Sequence, residues 1–212
     1  MEFYQQCLDI QLKTLGASHP SVATSYSNIG LAWYHKGEYD KALEFYQQCL
    51  DNQLKTLGAS HPSVARAYSN IGLAWDNKGE YDKALGFYQQ CLDIQLKTLE
   101  AGHPNISTTY FSIGNCYKES QFYKQAIENY NKGFEINQAG GFPFQIAQCY
   151  ESLFDLNSSL DYYVKSAEIR KNNHEVGMVH SATQESIANA LRLAKILHKE
   201  DELPIWIVEN TQ

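Results

Sequence analysis

Residues 45–86 are a near copy of residues 3–44. Phe3–Glu44 reads FYQQCLDIQLKTLGASHPSVATSYSNIGLAWYHKGEYDKALE, and the copy departs from it at six positions: Ile10/Asn52, Thr24/Arg66, Ser25/Ala67, Tyr34/Asp76, His35/Asn77 and Glu44/Gly86. Residues 87–128 open the same way and then follow the pattern more loosely, so the period is 42 residues. A fixed period between about 20 and 50 residues specifies an array of like units, each burying its apolar face on the next. The two near-identical copies must therefore present nearly identical surfaces.

Each unit reads as two helices. From Pro20 to Lys36 the apolar residues Val22, Tyr26, Ile29, Ala32 and Trp33 recur at spacings that put them on one helical face. Pro20 suits the first turn, where its missing N–H costs nothing. Of the two residues before it, Ser18 has the better side chain for an N-cap than His19. Lys36-Gly37 ends this helix, with a cation at the negative end and a glycine for a left-handed residue. The second helix is expected from Tyr39 to Leu57, with Ala42, Leu43, Tyr46, Cys49, Leu50 and Leu54 on its apolar face. Asp40 lies in its first turn and Gly58 closes it before the next helix begins at Pro62.

Within the unit the spacing is Tyr26-x2-Ile29-Gly30-x2-Trp33, then Ala42-x3-Tyr46. It recurs as Tyr68, Ile71, Gly72, Trp75, Ala84, Tyr88 and as Tyr110, Ile113, Gly114, Tyr117, Ala126, Tyr130. This resembles the tetratricopeptide repeat, whose usual unit is about 34 residues. The extra length falls in LKTLGASHPSVA, and in this form the unit is similar to the repeats of kinesin light chains. The resemblance implies an all-α, right-handed superhelical solenoid of stacked antiparallel helix pairs. Gly30 and Ala42 would meet where the two helices cross, with the aromatics filling the wedge around them. It also implies a non-catalytic scaffold, one module of a larger protein, that takes a protein or peptide ligand in the groove formed by its first helices.

The regular repeats are expected over residues 1–136, a degenerate fourth unit over 137–172, and a capping helix with an apolar tail over 173–212. The fourth unit carries Pro143 where an aromatic is expected and Ser159 in place of alanine. A helix is expected over 178–199, a first helix without its partner, followed by Ile205-Trp206-Ile207-Val208. Residues 1–16 read as the converse, a second helix without a first. These unpaired ends suggest a competing function, self-association into a homo-oligomer through Phe3, Tyr4, Leu8, Leu191 and Trp206, head to tail or by swapping.

A net charge of −7 and a pI near 5.5 argue against a nucleic-acid partner. No run of residues is long and apolar enough to span a membrane, and no signal peptide is visible, so a cytoplasmic location with reduced thiols is expected. His19, His61 and His103 recur once per unit, each before a proline. No cysteine or carboxylate accompanies them, so they read as linker residues bonding nearby backbone rather than as metal ligands. Cys7, Cys49 and Cys91 share one position and read as small buried hydrophobes, as do Cys116 and Cys149 on first helices. Phosphate-binding, nucleophile-elbow and zinc motifs are all lacking. Neither catalysis nor a cofactor is expected.

The candidate binding wall is the unpacked face of the first helices. Its residues are Leu31 and Tyr34 in the first unit, Arg66, Leu73 and Asn77 in the second, and Phe111 and Asn115 in the third. Thr24/Arg66, Tyr34/Asp76 and His35/Asn77 are three of the six differences, as expected of a floor that varies on a copied scaffold. The kinesin-light-chain resemblance adds Asn28 and Asn70, which would bond a bound peptide's backbone. An asparagine both donates and accepts, so it engages a peptide bond without reading sequence. The third unit has Ser112 there. Arg66 and Lys118 are the candidate cations.

Overall fold

The computed structural model describes residues 2–139, 141–172 and 181–209, and all their regular structure is helical. They gather into two compact units, Met1–Cys116 and Tyr117–Gln212. The first unit holds α1 (Glu2–Leu15), α2 (Pro20–His35), α3 (Tyr39–Leu57), α4 (Pro62–Asn77), α5 (Tyr81–Thr98) and most of α6 (Pro104–Glu119). Helix α2 pairs with α3, and α4 with α5; the contacts of α1 with α2 and of α3 with α4 join successive pairs.

The three linker histidines start the first helices. The Nδ1 atoms of His19, His61 and His103 accept the backbone N–H of Ser21, Ser63 and Asn105, each at 3.1 Å. Ser18 is therefore not the cap. The Gly16 carbonyl accepts from the His19 N–H, and His19, extended at φ −76° and ψ 139°, is the residue at the helix threshold. An imidazole nitrogen that accepts a helix N–H does the work of the usual hydroxyl or carboxylate. At the other end Gly37 adopts φ 76°, a region L side chains avoid, and lets the chain reverse into α3.

The pair crossing is tighter than the Gly30–Ala42 contact alone. A Cβ on Gly30 would lie 2.6 Å from Cδ1 of Tyr46 and 3.2 Å from the Ala42 carbonyl oxygen. The Tyr46 ring thus lies directly on the glycine. Tyr88 does the same on Gly72, at 2.9 Å. Burial pushes the Tyr46 hydroxyl up to about 12 and raises Tyr88 further. Cys49 and Cys91 are buried beside these rings, but Cys7 is exposed, contrary to the sequence expectation. Its place on α1 is the same, yet among the described residues no first helix packs on that side of α1.

Between pairs, a polar bond recurs at the first and third steps. Ser25 Oγ donates to Gln11 Oε1 at 2.7 Å, and Thr109 Oγ1 to Gln95 Oε1 at 2.8 Å. At the middle step the hydroxyl is replaced by Ala67, and Gln53 Oε1 is buried without a partner. Its neighbour Asn52, which replaces isoleucine, donates to the Ala17 carbonyl at 2.5 Å and leaves its own Oδ1 unpartnered.

The second unit contains α7 (Tyr123–Ile136), α8 (Gly141–Ser152), α9 (Leu156–Asn172), α10 (Ser181–Leu197), a 3-10 turn at Glu200–Glu202 and α11 (Ile205–Glu209). Ser159 replaces alanine at no cost, because its buried hydroxyl donates to the Ala147 carbonyl at 2.9 Å. Pro143 is buried in the first turn of α8, where a proline is tolerated. Helix α10 begins at Ser181; the expected start at 178, and 173–180 generally, fall outside the described residues. The apolar tail is not without partners. Leu203 and Ile207, 8% and 0% exposed, join Ile187, Ala190, Leu193 and Ala194 of α10 in one core. Leu203 and the short α11 thus pack on a face of α10 that the repeat pattern would give to a second helix.

Candidate functional site

The first-helix face of the first unit carries the candidate wall. On α2, Thr24, Asn28 and Leu31 are exposed; on α4, Arg66, Leu73 and Asn77 are exposed and Asn70 is half-buried. The helical period places these positions together because Ile29 and Ile71, 1% and 2% exposed, hold the opposite face in the core. Leu31 and Leu73 remain 45% and 37% exposed at equivalent positions. They give the wall an apolar foothold on each helix. On α6, Phe111 and Asn115 are half-buried and take part in contacts of their own.

Tyr34 and Asn77 belong to the scaffold as much as to the wall. Asn77 Nδ2 donates to the Tyr34 hydroxyl at 2.9 Å and to the Leu73 carbonyl at 2.9 Å. Burial raises the Tyr34 phenol above its ordinary value, with Tyr39 and Asp76 adding to the shift and the Asn77 bond opposing it. Two of the three wall differences between the copies thus fall on residues that contact each other. This is a structural reason for changes that the sequence alone assigns to ligand choice.

The candidate cations separate. Lys118 Nζ donates to Gln145 at 2.8 Å and Gln148 at 3.3 Å, and lies 3.5 Å from Glu119. Arg66 makes no hydrogen bond or ion pair among the described residues. It opens onto a cleft of about 450 Å³ bounded by the starts of α4 and α6 and the end of α5. Ser63, Ser69, Thr98, Thr108 and Thr109 are the hydroxyl residues of its lining, and Gln95, Asn105 and Leu99 are among the others. Gln95, Thr98 and Thr109 were not singled out from the sequence. The available signal was a glutamine on the apolar face of α5, where a buried polar side chain demands a partner.

Of the residues proposed for self-association, Leu8 is 2% exposed and packs with Val22 and Ile29, so it is not on an open surface. Leu191 and Trp206 pack against the core of the second unit, and Lys171 Nζ sits 4.2 Å from the Trp206 ring centre. Phe3 and Tyr4 remain exposed, at 86% and 48%.

Among the described residues, no group of histidine, cysteine or carboxylate side chains is arranged to hold a metal ion. The Nδ1 atoms of His19, His61 and His103 are committed to their helix starts. No described helix is long and apolar enough to cross a membrane.

Family models described as tetratricopeptide repeat match residues 2–55, 32–95 and 77–139, and a further one matches 144–173. No curated protein sequence gives a match. Among solved structures, the chain is similar to nearly identical TPR-like repeats from Podosopora anserina, from a protein described as a kinesin light chain. The TM-score is 0.71 at 19% identity, covering 87% of this chain and 90% of that one. It is also similar to BtubC (BKLC) from P. vanneervenii, with a TM-score of 0.74 at 17% identity, covering 92% of this chain and 80% of that one. At such identities the likeness is one of fold. Proteins built from these repeats generally act as protein–protein interaction scaffolds rather than as enzymes. The matched repeats span most of the sequence, and the chain belongs to the tetratricopeptide repeat family.

Proposed function

We propose that the first unit binds an extended peptide along the exposed face of α2, α4 and α6, as a non-catalytic module of a larger cytoplasmic protein. Arg66 carries the reading: it is an unpaired guanidinium opening onto a hydroxyl-lined cleft on the same face as Asn28, Asn70, Leu31 and Leu73. A guanidinium offers five donors in a fixed fork, which suits a carboxylate or a run of peptide carbonyls. The asparagine amides complement a peptide backbone, and the two leucines give apolar side chains a place to rest. Tyr34 and Asn77 hold the wall in position through their mutual bond.

The test is a peptide-array screen on the full chain, followed by fluorescence anisotropy with the best peptide. Arg66→Ala and Asn70→Ala should each weaken binding about tenfold, in line with the loss of a charge-assisted or backbone hydrogen bond. The Arg66→Ala variant should keep its melting temperature, since that side chain is exposed. Peptide affinity unchanged in both variants would overturn the reading.

A further inference from the structure

The near-identical copies offer a bound peptide the same side chains one repeat apart. Asn28 and Leu31 on α2 are matched by Asn70 and Leu73 on α4. These four residues do not fix which part of a peptide lies on which helix. Arg66 breaks the equivalence. The same position is Thr24 on α2 and Thr108 on α6, so of these three helices only α4 carries a cation there.

The cleft beside Arg66 holds uncommitted donors on three helices. Among the described residues, the hydroxyls of Ser63 and Ser69 on α4 and the side-chain amide of Asn105 on α6 make no hydrogen bond. From α5 comes Gln95, only 8% exposed. Its Oε1 accepts from Thr109 at 2.8 Å, and its Nε2 has no acceptor among the described residues. That nitrogen is not one of the sealed polar atoms without a partner, so it opens into the cleft that Gln95 lines. The threonines differ, because Thr98 and Thr108 already donate to the carbonyls of Ile94 and Pro104, at 2.8 and 3.1 Å. The lining has one cation and no carboxylate.

We infer that this cleft takes the phosphoryl group of a phosphoserine or phosphothreonine, and that this residue sets the register of a peptide on the wall. A carboxylate presents two coplanar oxygens, which the guanidinium fork alone satisfies. A phosphoryl group presents three oxygens and a charge of about −1.5 to −2 at pH 7, and takes donors from several sides at once. Arg66 supplies the fork, and Gln95, Ser63, Ser69 and Asn105 supply further donors. The volume of about 450 Å³ admits the whole phosphorylated side chain. The inference rests on the peptide-binding reading for the carrier of the phosphate, but not for the chemistry of the cleft.

Two arms separate the cleft from the wall. In the first, N-acetyl-phosphoserine N-methylamide, its glutamate analogue and inorganic phosphate are each titrated into the full chain and followed by heteronuclear NMR of the Gln95 side-chain amide. The phosphoserine probe should shift that signal saturably, and Arg66→Ala should abolish the shift. No shift overturns the inference, as does an equal response to the glutamate analogue. Inorganic phosphate binding more tightly than the phosphoserine probe would make a free anion the ligand, and also overturns it. In the second arm a peptide array is printed with serine or phosphoserine at each serine position in turn, and affinities are measured by anisotropy. Phosphorylation at one position per peptide should raise affinity about tenfold, the scale of a charge-assisted bidentate pair. That gain should fall to about onefold in Arg66→Ala. It should also shrink several-fold in Gln95→Leu, where Thr109 keeps its bond to the Asn105 carbonyl at 3.0 Å and a thermal melt confirms folding. No gain, or an equal gain at every position, overturns the register and leaves the peptide-binding reading standing. A saturable probe shift with no peptide bound in any form supports the cleft and overturns that reading instead.

Discussion

Helices α1 and α3 have almost the same sequence and very different surroundings. EFYQQCLDIQLKTL and EFYQQCLDNQLKTL differ at Ile10/Asn52 alone. In α3, Tyr46 is 2% exposed beneath Gly30; in α1, Tyr4 is 48% exposed. Leu8 and Leu50 are buried alike, at 2% and 3%, because both face the pair that follows. The comparison separates two contributions to one helix: the face toward the next pair is satisfied in both, and the face toward a first helix is satisfied only in α3. Burial in a repeat array is a property of the neighbour as much as of the residue.

Substitutions at matched positions should expose this difference, most strongly at the tyrosines. Tyr46→Ala removes a ring that fills the crossing over Gly30, and should cost about 3–5 kcal/mol, as for other large aromatic deletions. Tyr4→Ala should cost less than about 1 kcal/mol, as at exposed positions generally. Urea unfolding of the two variants side by side checks both values. Equal costs would mean that α1 is covered as α3 is.

The comparison sharpens at the step between pairs. Ser25 and Thr109 satisfy Gln11 and Gln95, but Ala67 leaves Gln53 Oε1 buried without a donor. Ala67→Ser restores the missing hydroxyl and should stabilise the chain by about 1 kcal/mol, the usual net worth of a hydrogen bond. The double variant Ala67→Ser with Gln53→Leu should lose that gain, since it removes the acceptor. A smaller effect is expected at Gly86, which stands where the first copy has Glu44. Nothing lies within 4 Å of a Cβ at Gly86, so Gly86→Ala should stabilise α5 by about 0.5–1 kcal/mol through backbone entropy alone. Thermal unfolding detects both gains.

Much of the fold was legible because the repeat printed its own punctuation. The bounds of α3 at Tyr39 and Leu57 follow from the apolar period and from Gly58, and the start of α2 from Pro20. Between the two candidate caps, His19 and Ser18, the preference for Ser18 was wrong. Side-chain rank favours Ser18, but the turn closed by the Gly16 carbonyl puts His19 at the threshold. The second helix-like tail was not legible either. Ile205–Val208 looks like an apolar stretch without a partner until Ile207 is seen to fill the core against α10, a contact that no local pattern encodes. For the candidate wall, periodicity was enough to place Leu31, Leu73, Arg66 and Asn28 on an exposed face. It was silent on the Tyr34–Asn77 bond, which spans 43 positions, although both residues are among the six differences. Paired differences between near-identical copies mark contacts as well as binding surfaces.

Amide hydrogen exchange tests the central comparison most directly. Residues 3–14 and 87–98 are the same sequence, so their intrinsic exchange rates are the same and any difference in protection comes from their surroundings. Multidimensional NMR resolves the two copies through their different flanking residues. The amides of α1 should exchange at least about a hundredfold faster than their counterparts in α5, because only one face of α1 is held. Equal protection in the two copies would contradict the account, and would mean that the open face of α1 is already covered in solution.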